Sequence, residues 1–169
     1  MITETVGISV ESHLKLTEIA QSPGRIIRKS SSGSLPYFEI VLPYDCGIRG
    51  VVTRFKRGRE AYVESFSVPD DLRKNGIGHR LLSLFVVAAK DDEAGSMYGD
   101  VISPAMLNTM ARVVGTHRLT FTEIPVRYPD GRSKRIRLPF ETLAGDFRPL
   151  RVHADISSVD ISAWERPVG

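Results

Sequence analysis

Cysteine is all but absent from this chain. Cys46 is the only one in 169 residues, which excludes an intramolecular disulfide or a cysteine-based zinc cluster and fits a reducing, cytoplasmic setting. Long apolar runs are absent too. The longest, residues 81–89, falls far short of the roughly 20 residues needed to cross a bilayer. The N-terminal Met1-Ile2-Thr3-Glu4-Thr5 has neither a basic region nor an apolar stretch behind it, so no signal peptide and no membrane partner are expected. A strong net charge is missing: +3 overall is too little to indicate a nucleic-acid partner. Two local runs are more basic. Residues 112–137 hold seven Lys or Arg against Glu123 and Asp130, and residues 49–59 hold five with no acid. Solvated faces are the ordinary reading of such runs. No internal repeat is visible.

What is present is the composition of a folded domain: 41% hydrophobic and 25% charged residues, in a length that suits one domain spanning residues 1–169. Ile8, Val10, Leu14 and Leu16 alternate and read as an early strand. Tyr37–Leu42, residues 50–55 and residues 60–68 follow as β-rich runs with short connections, which predicts an antiparallel meander. In the third run Ala61, Val63, Ser65 and Ser67 would share one face, with Tyr62, Glu64, Phe66 and Val68 on the other. From Ile77 the pattern changes period. Ile77, Leu81, Leu84, Phe85 and Ala88 make a helical stripe, and Leu82, Val86 and Ala89 a second, so this helix is expected between layers. Residues 97–102 read as a strand. Ser103-Pro104 reads as a helix start before Leu107, Met110, Ala111 and Val114, with Gly115 as its stop. Residues 118–126 read as a strand, Pro129-Asp130-Gly131 as a turn and residues 134–138 as a returning strand. The last thirty residues show no clear pattern, except that Trp164 should pin the tail to the body. The fold expected is mixed α/β, α+β-like in its order of elements.

The chemically informative stretch runs Phe66-Ser67-Val68-Pro69-Asp70-Asp71-Leu72-Arg73-Lys74-Asn75-Gly76-Ile77-Gly78-His79-Arg80-Leu81-Leu82. A strand ends, a polar turn follows, and two glycines open a long helix. A helix start offers unpaired backbone N–H groups and a partial positive charge. Glycines allow a ligand close to those groups. Arg73, Lys74, His79 and Arg80 add positive or chargeable groups. This is the chemistry of a phosphate cradle. It is neither a Walker loop, since no Gly-Lys-Ser/Thr follows, nor a dinucleotide fingerprint, since the spacing is Arg-x-x-Gly-x-Gly. The other reading of the same residues is a glycine-bearing helix entry with a basic surface.

Val68-Pro-x-x-Leu-Arg-x-x-Gly-x-Gly, followed by Leu81-Leu82, resembles the acyl-coenzyme A motif of the GNAT acetyltransferase superfamily. Asn108 and Ala111 resemble the Asn-x-x-Ala of that family's next helix. The resemblance spans about residues 62–121. It implies a central, mostly antiparallel sheet splayed at the cofactor site, with helices packed on it and, here, reduced N-terminal helices, of which only residues 17–21 give a hint. It implies acetyl-coenzyme A as co-substrate, its pantetheine arm inserted beside Phe66 and Val68. The pyrophosphate would lie on the backbone of Arg73, Lys74, Asn75, Gly76, Ile77, Gly78 and His79, with Asn108 bonding the pantetheine or nearby backbone. An acceptor amine would then attack the thioester directly, with no need for Cys46 or a serine as nucleophile and no metal. An amine with a pKa of about 10.4 is neutral in only about one molecule in 2,500 at pH 7, so a base is needed. Glu64 is the candidate, with Glu60 one repeat away. The tyrosine that many members use as general acid falls at Gly115; His117 is the nearby alternative, and Tyr98 and Tyr128 are substitutes without positional support.

Three functions follow. The first is transfer of an acetyl or small acyl group from acyl-coenzyme A to an amine on a small molecule or protein. The second is a degenerate acyl-coenzyme A-binding or interaction module. The third is acylation of an RNA-linked amine, with Arg127, Arg132, Lys134, Arg135 and Arg137 as its electrostatic footprint. Pairing with a second copy of the chain is left open.

Overall fold

The computed structural model describes residues 9–29, 36–55, 58–101, 104–123, 126–127, 133–134 and 150–169. The chain is mixed α/β. Helix α1 (Val10–Gln21) leads into strands β1 (Arg25–Lys29), β2 (Tyr37–Leu42), β3 (Cys46–Phe55) and β4 (Gly58–Ser67). Helix α2 (Ile77–Asp91), β5 (Ala94–Val101) and α3 (Pro104–Val114) follow, then β6 (Leu119–Glu123), β7 (Val126–Arg127), β8 (Ser133–Lys134) and β9 (Leu150–Asp155). Seven strands form one sheet in the order β1-β2-β3-β4-β5-β9-β6. All its ladders are antiparallel except β4 with β5. The parallel pair is joined through α2, the long crossover that parallel strands require. No helix among the described residues is long and apolar enough to cross a membrane.

The meander β2-β3-β4 matches the sequence pattern. The early strand does not form. Residues 10–21 are helical, capped by Ser9, whose Oγ accepts from the Ser12 amide at 3.1 Å. The inward set is Ser12, Leu16 and Ile19, at helical spacing. Val10 and Leu14, which carried the alternation, are 80% and 64% exposed. Ile8, the first member of that set, lies outside the described residues, as do Ile102, Ser103, Pro129-Asp130-Gly131 and residues 135–138. The expected 118–126 strand stops at Glu123, and Val126–Arg127 pairs instead with Ser133–Lys134 as a separate ladder.

One face of the sheet carries the core. Phe38, Ile40, Leu42, Ile48, Ala61, Val63, Met97, Val152 and Ala154 are all buried there in one cluster with α2. Every residue of α2 from Leu84 to Ala89 is buried. α3 packs against it within the same core, and the C-terminal tail adds further cover. Lys90 Nζ donates to the carbonyls of Ile156, Ser157 and Val159. Trp164 packs on the core, and Val168 exchanges backbone bonds with Gly24 and Ile26 at the edge of β1. The other sheet face is polar. Glu60, Tyr62, Ser96, Tyr98, Arg151 and His153 occupy it, none of them fully buried.

Phe85 meets the sheet at Gly50. A Cβ built on Gly50 would lie 2.4 Å from Phe85 Cε2 and 3.1 Å from Phe38 Cζ. Gly50→Ala should therefore overpack the core and lower stability by roughly 1–3 kcal/mol. Urea unfolding checks this, and a midpoint unchanged from wild type would show that the ring moves aside without cost.

Candidate functional site

β4 and β5 part company midway. Their register runs Glu60↔Ser96, Ala61↔Met97, Tyr62↔Tyr98 and Val63↔Gly99, and then stops. β4 continues to Ser67 against β3, while Asp100 and Val101 pair only with β9. Residues 64–67 thus keep one neighbour and lose the other. Among the described residues, the backbone N–H and C=O groups of this segment that do not face β3 have no strand partner, and such an edge is one that an extended chain can pair with as an added strand.

A bulge marks the parting. Arg49 lies opposite Ser65 and Gly50 opposite Val63, so Glu64 is the extra residue. This corrects the alternation read from the sequence. Val63 points to the core, Glu64 and Ser65 are both exposed, and Phe66 is half-buried against the core with Ser67 exposed again. Phe66 therefore lies on the helix face and Glu64 on the polar face. Val68 lies just beyond the strand, and its carbonyl accepts from Arg73 Nε at 3.1 Å.

The turn into α2 is held from inside. Asn75 Nδ2 donates to the carbonyls of Leu72 (3.2 Å) and Arg73 (2.8 Å). Lys74 and Gly76 both take positive φ, at 65° and 79°. Gly76 is the N-cap, and no side chain bonds to the first turn. The amides of Ile77, Gly78 and His79 are left open there. A Cβ on Gly76 would meet nothing within 4 Å, and one on Gly78 only the Phe66 ring at 3.4 Å. There is room at this turn for an anionic group, as the residues fitting a pyrophosphate require. A cleft of about 360 Å³ adjoins it, between His13 and Thr17 of α1 and Gly76 and Arg80.

Not all the expected cations serve the turn. Arg80 caps the end of α1 through the carbonyls of Ile19 and Ser22 and pairs with Glu165. Arg73 pairs with Asp70 at 3.0 Å. Lys74 and His79 are exposed at the turn. Ile77 buries its side chain, leaving its amide as the available group. Asn108 is exposed on α3, and among the described residues no hydrogen bond ties it to the turn. Gly115 has φ 91°, and a Cβ there would lie 2.9 Å from His117 Cε1. A tyrosine could not take that backbone without strain. Tyr98 lies on the polar face between Tyr62 (ring centroids 4.9 Å apart) and His153 (5.3 Å). Burial and then Glu60 push its phenol pKa up, against Arg151. Burial, with Asp45 and Asp71, pushes the Cys46 thiol up, so it is not a ready nucleophile. Tyr128, Arg132, Arg135 and Arg137 lie outside the described residues. Of Arg127 and Lys134 only the backbone pairing is described.

No family model and no curated protein matches the chain. Among solved structures it is similar to a Bacillus subtilis acetyltransferase in complex with coenzyme A (10% identity, 78% of this chain and 98% of that one, TM-score 0.47). It is also similar to the Escherichia coli ribosomal-protein-S18-alanine N-acetyltransferase (12% identity, 92% and 94%, TM-score 0.45). A third is the Neisseria gonorrhoeae N-acetylglutamate synthase complexed with coenzyme A and N-acetyl-glutamate (11% identity, 70% and 25%, TM-score 0.40).

The two glycines of the turn should respond differently to a methyl group. Gly76→Ala forces a side chain into the left-handed region and should cost roughly 1–2 kcal/mol. Gly78→Ala makes only ordinary contact and should fold like wild type. Urea midpoints compare them, and an equal loss at both positions would contradict the backbone geometry described here.

Proposed function

We propose that the chain transfers an acyl group from acyl-coenzyme A to an amine. The observation that carries this is the conjunction of a strand segment stripped of one neighbour, residues 64–67, with the open amides of the α2 turn that follows it in the chain. A molecule with an extended amide-bearing arm at one end and a pyrophosphate at the other suits both.

The residues divide the work. Amides of Ile77, Gly78 and His79 bind phosphate oxygens, helped by the α2 dipole and the charge of Lys74. The free edge of residues 64–67 pairs with the arm. When bound, the coenzyme supplies an activated thioester carbonyl. Glu64, exposed at the bulge on the polar face, takes the proton from the acceptor amine. Acetyl-coenzyme A is the natural small donor.

A second reading, binding without turnover, is favoured by one observation: the backbone at Gly115 excludes the usual tyrosine. The same experiments separate the two. Acetyl-coenzyme A should raise the melting temperature of the wild-type protein. Gly78→Val, which adds branched bulk where the backbone must approach phosphate, should remove that shift without unfolding the chain; a folded variant with an undiminished shift would remove the turn from the binding site. Glu64→Gln should leave the shift intact and lower turnover by roughly 10²-fold at pH 7. The loss should shrink as pH rises toward the amine's own pKa, because the base then has less to do. Equal rates at pH 7 would take the role away from Glu64, and coenzyme binding with no thiol release from any amine would favour the second reading.

A further inference from the structure

We propose that the acceptor is a small diamine lying along β4 between Glu64 and Glu60. This rests on the acyl-transfer reading and adds the class of amine. Glu60, Tyr62 and Glu64 share the polar face of the sheet, Ala61 and Val63 turning inward between them. Tyr98 lies across from Tyr62, their ring centroids 4.9 Å apart. The two carboxylates therefore stand at the ends of a short aromatic floor, with Glu64 at the parting of β4 and β5, where the thioester would be presented.

The charge on this face is uncompensated at those two points. Arg49 is committed to Glu39 at 3.4 Å and lies over Tyr37. Arg151 is committed to Asp100 at 2.9 Å, and His153 stacks on Tyr98. Glu60 accepts from Ser96 Oγ through one oxygen and keeps the other. No ion pair reaches Glu60 or Glu64 among the described residues. The face thus asks for two positive charges, one at each end.

The spacing sets the length. Four residues of unbroken strand cover about 13 Å, and the bulge at Glu64 makes that an upper bound. A hydrogen bond of about 3 Å at each end leaves at most about 7 Å between the nitrogens, within the reach of four or five methylenes. The chain between them would rest on Tyr62 and Tyr98, whose rings also attract the cations. In the reaction one proton of the ammonium at Glu64 passes through that carboxylate to water. The nitrogen lone pair forms the C–N bond, the C–S bond breaks with its electron pair going to sulfur, and a second amine proton ends on that sulfur. The ammonium at Glu60 keeps its charge and takes no part beyond holding the molecule. A carboxylate in its place would be repelled.

The test uses the full chain. Acetyl-coenzyme A binding is measured by calorimetry, and thiol release is followed with putrescine, cadaverine, butylamine and γ-aminobutyrate. The diamines should exceed butylamine by roughly 10–100-fold in kcat/KM, the worth of one charge-assisted bond, with γ-aminobutyrate below butylamine. Glu60→Gln keeps the bond from Ser96 and removes the charge. It should raise KM for the diamines by roughly 10-fold, with the smaller change in kcat, and lose the preference over butylamine. Equal use of diamine and monoamine by wild type overturns the proposal. So does a diamine KM untouched in Glu60→Gln, or coenzyme binding with no diamine turnover. Failure to bind acetyl-coenzyme A at all would instead overturn the acyl-transfer reading on which it rests.

Discussion

The contact between the Phe85 ring and the backbone of Gly50 is the constraint on which the rest of the site depends. Because Gly50 has no side chain, α2 can bring its largest buried ring down onto β3 at the rung where the β3–β4 register slips. The slip leaves Glu64 as the extra residue of β4. From there β4 follows β3 and β5 follows β9, so the sheet opens between two strands that each keep a partner on the other side. An opening of this kind would be costly in the middle of a sheet, since it leaves backbone polar groups unpaired unless water or a ligand meets them. Here the parting is held by packing beneath it.

The same helix ties the parted strand to the glycine turn. Nine residues separate the end of β4 from α2, and α2 is held by the sheet, by α1 through Arg80, by α3, and by the tail through Lys90. Its first turn cannot drift without disturbing the core. A helix start fixed this firmly relative to a strand edge would spend little ordering free energy on a ligand that spanned both. The two faces of the sheet divide their roles accordingly. One builds the core, and the other displays Glu60, Tyr62, Glu64 and Tyr98 beside the parting.

The polar face also shows why charge counting along the chain misleads. Arg49, Arg73, Arg80 and Arg151 look available in the sequence, yet each is paired with a carboxylate, and Arg73 and Arg80 with carbonyls as well. Among the described residues no ion pair reaches Lys74 and His79 at the turn or Glu60 and Glu64 on the face, and Glu60 is held only by Ser96. Those few residues, and not the net charge, set the electrostatics a ligand would meet.

Much of this was determined by the sequence alone. The period change at Ile77 marked a buried helix because apolar residues on two of its stripes have nowhere else to go. The alternating runs at 37–42 and 60–68 marked a meander because short connections leave neighbouring strands no other pairing. The glycines at 76 and 78 marked an open helix start because no side chain there can cap it. Other features had no local signal. Residues 10–21 alternate like a strand but fold as a helix, since burial of Leu16 and Ile19 outweighs exposure of Val10 and Leu14. β1 is five residues with only Ile26 and Ile27 apolar, and it exists because β2 and the tail pair with it. β9 comes last in the sheet's sequence order yet lies between β5 and β6, a placement only long-range pairing can set. The bulge at Glu64 moved Phe66 to the opposite face from the one its parity implies, because a strand's alternation holds only while its partner keeps register. At the rung where that register slips, Gly50 lies against Phe85 of α2, a contact that no local pattern in the strand announces.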